Sequence, residues 1–339
     1  MLILLPCVMS ARFQLLHLLS ILIFASAMTS EAVLFYETAD PNHNVGAPGG
    51  SLADSGWQWQ GYFGSFLGTM ISPTHFITAK HVPTNGSFVH DALFSGEATT
   101  TYSVNTAANG GLGYWDIGAT DLRIYEITGG TFSSYAELFT GSAEVGSDLV
   151  VFGRGGVRGA AIVVDNGAGP QVQGYGHTAS DGTARWGLNT VADVVSYGGG
   201  DLLAADFTAV LGQNEAHLSG GDSGGAVFIQ DGGRWKLAGI NFVVDGAYDT
   251  NDVPGDGSEF SAAMFDQGGL YLQNDPGWLF IPDQPLDQPG HFYSSRISSA
   301  AGSIQGVIGV PEPSSLTLLF AMVMLVRRRR LTPLATIRG

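Results

Sequence analysis

The sequence predicts an all-β fold, and three observations carry that expectation. Short apolar stretches recur through the middle of the chain, at 63–71, 76–79, 122–127, 149–152, 160–164, 226–229 and 236–244. Gly, Asn, Asp and Ser separate them, the residues that turns demand. The chain also holds 49 glycines in 339 residues, which implies many turns and close backbone approaches. Finally, no stretch of this region has a helical period, and no long internal repeat stands out. A barrel or a sandwich follows, and a barrel removes exposed sheet edges.

The length suits one large or two small domains, and the sequence reads as one folded unit with an address at each end. Between residues 33 and 310 there are 8 Lys and Arg against 28 Asp and Glu, a net charge of −20, against −16 for the whole chain. Such an acidic unit is a poor partner for nucleic acid or anionic lipid. The single cysteine, Cys7, falls in the leader, so the mature unit has no disulfide to hold its core.

Residues 1–32 read as a secretory signal peptide: Arg12 precedes an apolar run at 15–27 that ends in Ala25-Ser26-Ala27. Cleavage after Ala27 or after Ala32 fits, Met9 is an alternative start, and a retained anchor is the competing reading. The folded domain is expected over 33–282. A Pro-, Asp- and Gln-rich stretch and then small residues suggest a linker over 283–309. At 310–330 come Val310-Pro311-Glu312-Pro313-Ser314, an eleven-residue apolar run at 316–326 and Arg327 to Arg330, before a tail at 331–339. That order resembles the PEP-CTERM sorting signal of Gram-negative bacteria. The resemblance implies cleavage by an exosortase-type membrane enzyme, with signal peptidase acting at the other end. The protein would then reach the cell surface or the medium after transient anchoring. A run of eleven residues is short for a full span, and a lasting C-terminal anchor is the alternative.

The sharpest chemical motif is Gly221-Asp222-Ser223-Gly224-Gly225. Small residues around Ser223 let the backbone turn tightly and leave its hydroxyl open to a substrate carbonyl. A serine hydroxyl is a weak nucleophile at neutral pH, so it needs a base, a group that orients the base, and donors for the developing oxyanion. The amides of Gly221 and Ser223 are placed to converge as that oxyanion hole. A histidine at a strand end is available in Thr78-Ala79-Lys80-His81. A carboxylate opens the alternating strand Asp121-Leu122-Arg123-Ile124-Tyr125-Glu126-Ile127, and Asp116 in Asp116-Ile117-Gly118-Ala119 competes with it. Persistent alternation after Asp121 favours it over Asp116, which a glycine follows two residues on.

With these motifs the chain resembles the trypsin-like serine proteases. Residues 66–81 are similar to that family's segment running into its catalytic histidine. The order His, Asp, Ser is reproduced, Phe152-Gly153-Arg154-Gly155 resembles its Gly-Trp-Gly, and residues 235–240 resemble the strand after the nucleophile. The resemblance covers roughly residues 61–245. It implies two antiparallel six-stranded β-barrels with the active site in the cleft between them. It also implies peptide-bond hydrolysis through an acyl-enzyme on protein or peptide substrates, with Ser223 as nucleophile, His81 as general base and Asp121 as its orienting carboxylate.

The sequence also departs from that family. No Ile-Val-Gly-Gly terminus, whose ammonium would pair with Asp222, precedes Gly61, and Asn44-Val45-Gly46-Ala47 is a faint echo. His217, Phe242 and Val244 stand where a substrate pocket is expected, with a structural role as the alternative for His217. No cofactor is required, although Asp245, Asp249, Asn251, Asp252, Asp256 and Glu259 crowd one loop and offer calcium hard oxygen ligands. A solvated acidic insertion is the other reading of that loop. Against the endopeptidase stands a catalytically silent surface or matrix protein that uses the scaffold for binding. An esterase would share the triad but usually has another elbow motif and chain order.

Overall fold

The computed structural model describes residues 33–167, 169–274 and 277–309. The expected leader (1–32), sorting signal (310–330) and tail (331–339) lie outside the described residues. The barrel strands are numbered here in chain order. The first ring comprises β1 (Gln60–Phe63), β2 (Phe66–Met70), β3 (His75–Ala79), β4 (Ser87–His90), β5 (Thr100–Val104) and β6 (Leu122–Thr128). Its neighbour order is β1-β2-β3-β6-β5-β4, with β4 closing on β1. The second comprises β7 (Asp148–Gly153), β8 (Arg185–Tyr197), β9 (Gly200–Asp206), β10 (Ala226–Asp231), β11 (Arg234–Val244) and β12 (His291–Arg296). Its order is β7-β8-β9-β12-β11-β10, closing on β7. Both are antiparallel six-stranded barrels, and both follow the same path.

Side-chain alternation explains how the barrels pack. On β7, Leu149 and Val151 enter the second barrel's core, while Val150 and Phe152 face the cluster that fills the first barrel and the junction. On β10, Val227 and Ile229 point inward, and Ala226 and Phe228 point to the junction. Both faces of these strands are therefore buried, which is why they read as unbroken apolar runs. In the first barrel Phe76 stacks on Phe88 and Tyr125 at ring-centroid distances of 4.4 and 5.2 Å. Each such fully buried ring contributes roughly 1.5–3 kcal/mol over its exposed state.

Three expectations need correction. The stretch 63–71 is not one strand: Gly64 adopts φ 62° and Phe63 pairs with Phe66, so a tight hairpin divides it. The domain does not end at 282, and 283–309 is not a linker. β12 pairs with both β9 and β11 to close the second ring, and a helix, α1 (Ile297–Ile308), follows it. α1 buries Ile297, Ala300, Ala301 and Ile304 against the junction cluster and its neighbours. Those positions recur at helical spacing, but the Ser, Ala and Gly between them gave the stretch a tether's composition. Among the described residues, no helix is long and apolar enough to cross a membrane.

Two insertions decorate the second barrel. Between β7 and β8, strands Arg158–Asp165 and Pro170–His177 form a hairpin. Between β11 and β12, residues 245–290 add Ala262–Met264 to that hairpin and build a further small sheet. At the other end of the chain, Leu34–Phe35 pairs with Ala216–His217, which pins the first described residues to the second barrel.

Candidate active site

The pairing of β3 with β6 brings the histidine to its carboxylate. Ala79 lies opposite Leu122, and one step further the Lys80 N–H donates to the Asp121 carbonyl at 3.0 Å. The next residue, His81, then sits over the Asp121 side chain. Its backbone N–H reaches Asp121 Oδ1 at 3.0 Å and its Nδ1 lies 2.6 Å from Oδ2. The other ring nitrogen, Nε2, is 2.7 Å from Ser223 Oγ. Asp116 is elsewhere engaged: it lies across from Arg123 on a short strand and pairs with that guanidinium at 2.6 Å and with Lys80 at 3.5 Å. The ambiguity between the two aspartates is thus resolved by cross-strand position.

Ser223 comes from the second barrel, on the loop that enters β10. Gly221 has φ 98°, a conformation that side-chain-bearing residues rarely adopt. A Cβ at Gly224 would collide with the Thr78 hydroxyl and the Leu67 carbonyl, so glycine lets the loop press against β2 and β3. Buried Asn241, which the sequence reading passed over, holds the loop. Its Nδ2 donates to the carbonyls of Asp222 and Phe152, at 3.1 and 2.8 Å, and its own carbonyl accepts from Gly224 N–H at 3.1 Å. Only its place on β11 opposite the nucleophile loop, a tertiary fact, marks it. Among the described residues, the N–H groups of Gly221 and Ser223 have no acceptor.

Asp222 turns away from the cleft and is 1% exposed. Its carboxylate accepts from Ser219 N–H at 2.8 Å, Ser219 Oγ–H at 3.2 Å and Gly155 N–H at 3.0 Å. Burial drives its pKa well above the ordinary 3.8 despite these bonds, and no cation faces it among the described residues. The Asn44–Ala47 segment is not its neighbour; Asn44 is tied to Asn214 and to the Trp186 carbonyl. Val33 is what lies close: its side chain and the Asp222 carboxylate both abut the same face of Gly153.

The expected pocket residues separate. Phe242 places its ring edge-on to His81, with centroids 5.8 Å apart. Val244 packs against the second barrel's core. His217 does not face the cleft: it is 1% exposed, enclosed edge-on by Phe207 and Phe292, with Nδ1 against the Leu218 carbonyl at 2.6 Å. Burial lowers its pKa to about 4, so it is neutral near pH 7 and is a core residue here. In the acidic loop, Asp249, Asp256 and Glu259 hold oxygens within 4.8 Å of one another and are the residues that could hold a calcium ion. Asp245 leaves that group and accepts from Tyr293 Oη–H and His291 N–H at 3.0 and 2.7 Å.

Two six-stranded antiparallel barrels of one topology are a chymotrypsin-like fold, and here a Ser–His–Asp hydrogen-bonded chain is assembled across their junction. Solved structures similar to this one include an inactive mutant form of Rv3671c from M. tuberculosis, at 14% identity over 79% of this chain and 94% of that one, with a TM-score of 0.41. Neuropsin, a serine protease of mouse brain, is similar at 14% identity over 75% of this chain and 96% of its own, with a TM-score of 0.42. No family model matches the sequence, and no curated protein does.

Proposed function

We propose that this chain is an exported serine endopeptidase. Ser223 Oγ attacks the scissile carbonyl while His81 Nε2 takes its proton. Asp121 holds the imidazole in the tautomer with Nδ1 protonated and stabilises the imidazolium. The oxyanion is received by the N–H groups of Gly221 and Ser223. His81 then returns the proton to the leaving amine, and water releases the acyl group by the same route. The single observation that carries this reading is the continuous chain from Asp121 through His81 to Ser223, at 2.6 and 2.7 Å.

The expected partners are protein or peptide substrates, with signal peptidase and an exosortase-type enzyme acting during export to the cell surface or medium. The test is labelling of the secreted, purified protein by a fluorophosphonate probe. Labelling should be lost in Ser223→Ala, and Asp121→Asn should lower kcat by about four orders of magnitude. Asp116→Asn should leave the rate within about tenfold, because its carboxylate serves Arg123. A folded, processed protein that takes no label would support the silent binding scaffold, a reading favoured by the lack of a cation at Asp222 among the described residues. Hydrolysis of a short acyl ester without cleavage of denatured casein would indicate an esterase instead.

A further inference from the structure

A cavity of about 460 Å³ opens where Arg154 meets the turn before β2, lined by Gly64, Ser65, Arg154, Ala179, Ser180, Asp181 and Gly182. Its position relative to Ser223 follows from the ring order. Ser223 precedes β10, which lies between β11 and β7. Phe242, near the end of β11, therefore flanks the serine on one side. Arg154, the residue after β7, flanks it on the other, and the adjoining Gly155 N–H holds Asp222 at 3.0 Å. The cavity's opposite wall, Gly64 and Ser65, is the turn entering β2, whose Leu67 carbonyl lies against Gly224.

Arg154 is unusual in this molecule. Acidic residues outnumber basic ones 28 to 8 between residues 33 and 310, and six of the eight cations pair with a carboxylate. Arg154 does not. Its guanidinium stacks on the Tyr62 ring at 4.1 Å and donates Nε–H to the Gly182 carbonyl and Nη1–H to the Gly64 carbonyl, both at 2.8 Å. Nη2 has no partner among the described residues and stands beside Gly182 in the cavity lining. The one acid in that lining, Asp181, is committed to Arg185 through contacts of 3.0 and 2.5 Å. The cavity thus presents one oriented, uncompensated guanidinium with donors to spare.

We propose that this cavity is a subsite for a carboxylate on the leaving-group side of the scissile bond, with Arg154 as its specificity-determining residue. The inference rests on the protease reading: acyl-side residues would lie against Phe242, and the opposite flank then receives the leaving group. The molecule's net negative charge does not forbid it, because beyond about 8 Å physiological salt screens that repulsion while a direct contact survives.

The test uses the processed enzyme and a peptide library, with cleavage sites read by mass spectrometry, followed by matched quenched peptides. The pairs carry Glu or Gln in the first three positions after the cleaved bond, and a further pair ends there in a free or amidated C-terminus. Glu should exceed Gln by about tenfold in kcat/KM, the effect of one charge-assisted hydrogen bond. Arg154→Gln should erase the difference and Arg154→Lys should keep most of it. A preference for the free C-terminus alone would assign the subsite to a chain-end carboxylate, and a preference for Glu alone to a side chain. Fluorophosphonate labelling of the same preparations keeps the two readings apart. Labelled enzyme that does not discriminate, or whose preference survives Arg154→Gln, overturns the subsite. Wild-type enzyme without label removes the protease reading and the subsite with it. If Arg154→Gln fails to fold, the wild-type preference and its loss in high salt decide.

Discussion

Asp222 is a carboxylate buried beside the nucleophile with three hydrogen-bond donors and no cation among the described residues. Such a group costs stability unless a charge reaches it. Val33 lies against the same glycine that Asp222 abuts, and cleavage after Ala32 would turn its backbone nitrogen into an ammonium. The consequence can be read from pH. Without a cation the folded chain retains a proton on Asp222 that the unfolded chain releases near 3.8, so the unfolded state is favoured as pH rises above that value. A chain that begins upstream of Val33 should lose thermal stability from pH 4 toward neutrality through this group. A chain that begins at Val33 should not, and Asp222→Asn should abolish the difference. Melting temperatures of the two forms across that pH range check this, with fluorophosphonate labelling expected to be faster for the Val33 form.

At the scale of elements, besides its strand pairing the last strand is tied to the barrel by Arg296, which pairs with Glu144 and, at 3.3 Å, with Asp201. Arg296, the last residue of β12, grips Glu144 through Nε and Nη2 at 2.7 and 2.9 Å, and Ser298 Oγ–H donates to the same carboxylate. Glu144 is 1% exposed. Burial alone would raise its pKa, but Arg296 and Ser298 outweigh that and hold it below the ordinary range. Removing one member leaves a buried charge alone, so Arg296→Met should destabilise by about 3–5 kcal/mol. The double variant with Glu144→Gln should recover part of the loss, since the orphaned charge disappears with it. Urea unfolding midpoints of the single and double variants distinguish this from simple loss of side-chain packing.

For the whole molecule, the two rings share one strand order, and each closes only through its last strand. β12 bonds β9 and β11, so a chain ending at 282 would leave both edges open and uncover the face that α1 covers. A chain of residues 33–309 should melt cooperatively and take the probe, whereas one of 33–282 should be insoluble or non-cooperative. Circular dichroism melting and labelling of the two forms decide it. The same closure explains how the site is built: His81 and Asp121 belong to the first ring and Ser223 to the second, so the relay exists only when both are formed.

The sequence by itself determined the all-β class, because period-two alternation and turn residues are local signals. It also marked Ser223, His81 and the two competing aspartates, because the residues beside them must permit a tight turn or a strand end. Strand alternation favoured Asp121 over Asp116, and the tertiary structure puts Asp121 beside His81 and Asp116 beside Arg123, through the register of β6 against β3 and against the strand that carries Asp116. Tertiary structure also moved His217 into the core, put Asn241 behind the nucleophile loop, and made 291–308 a strand and helix. It left Arg154 without a carboxylate among the described residues of an acidic molecule. Each of these depends on what lies across a pairing or a barrel wall, and local composition carries no record of a neighbour from a distant part of the chain.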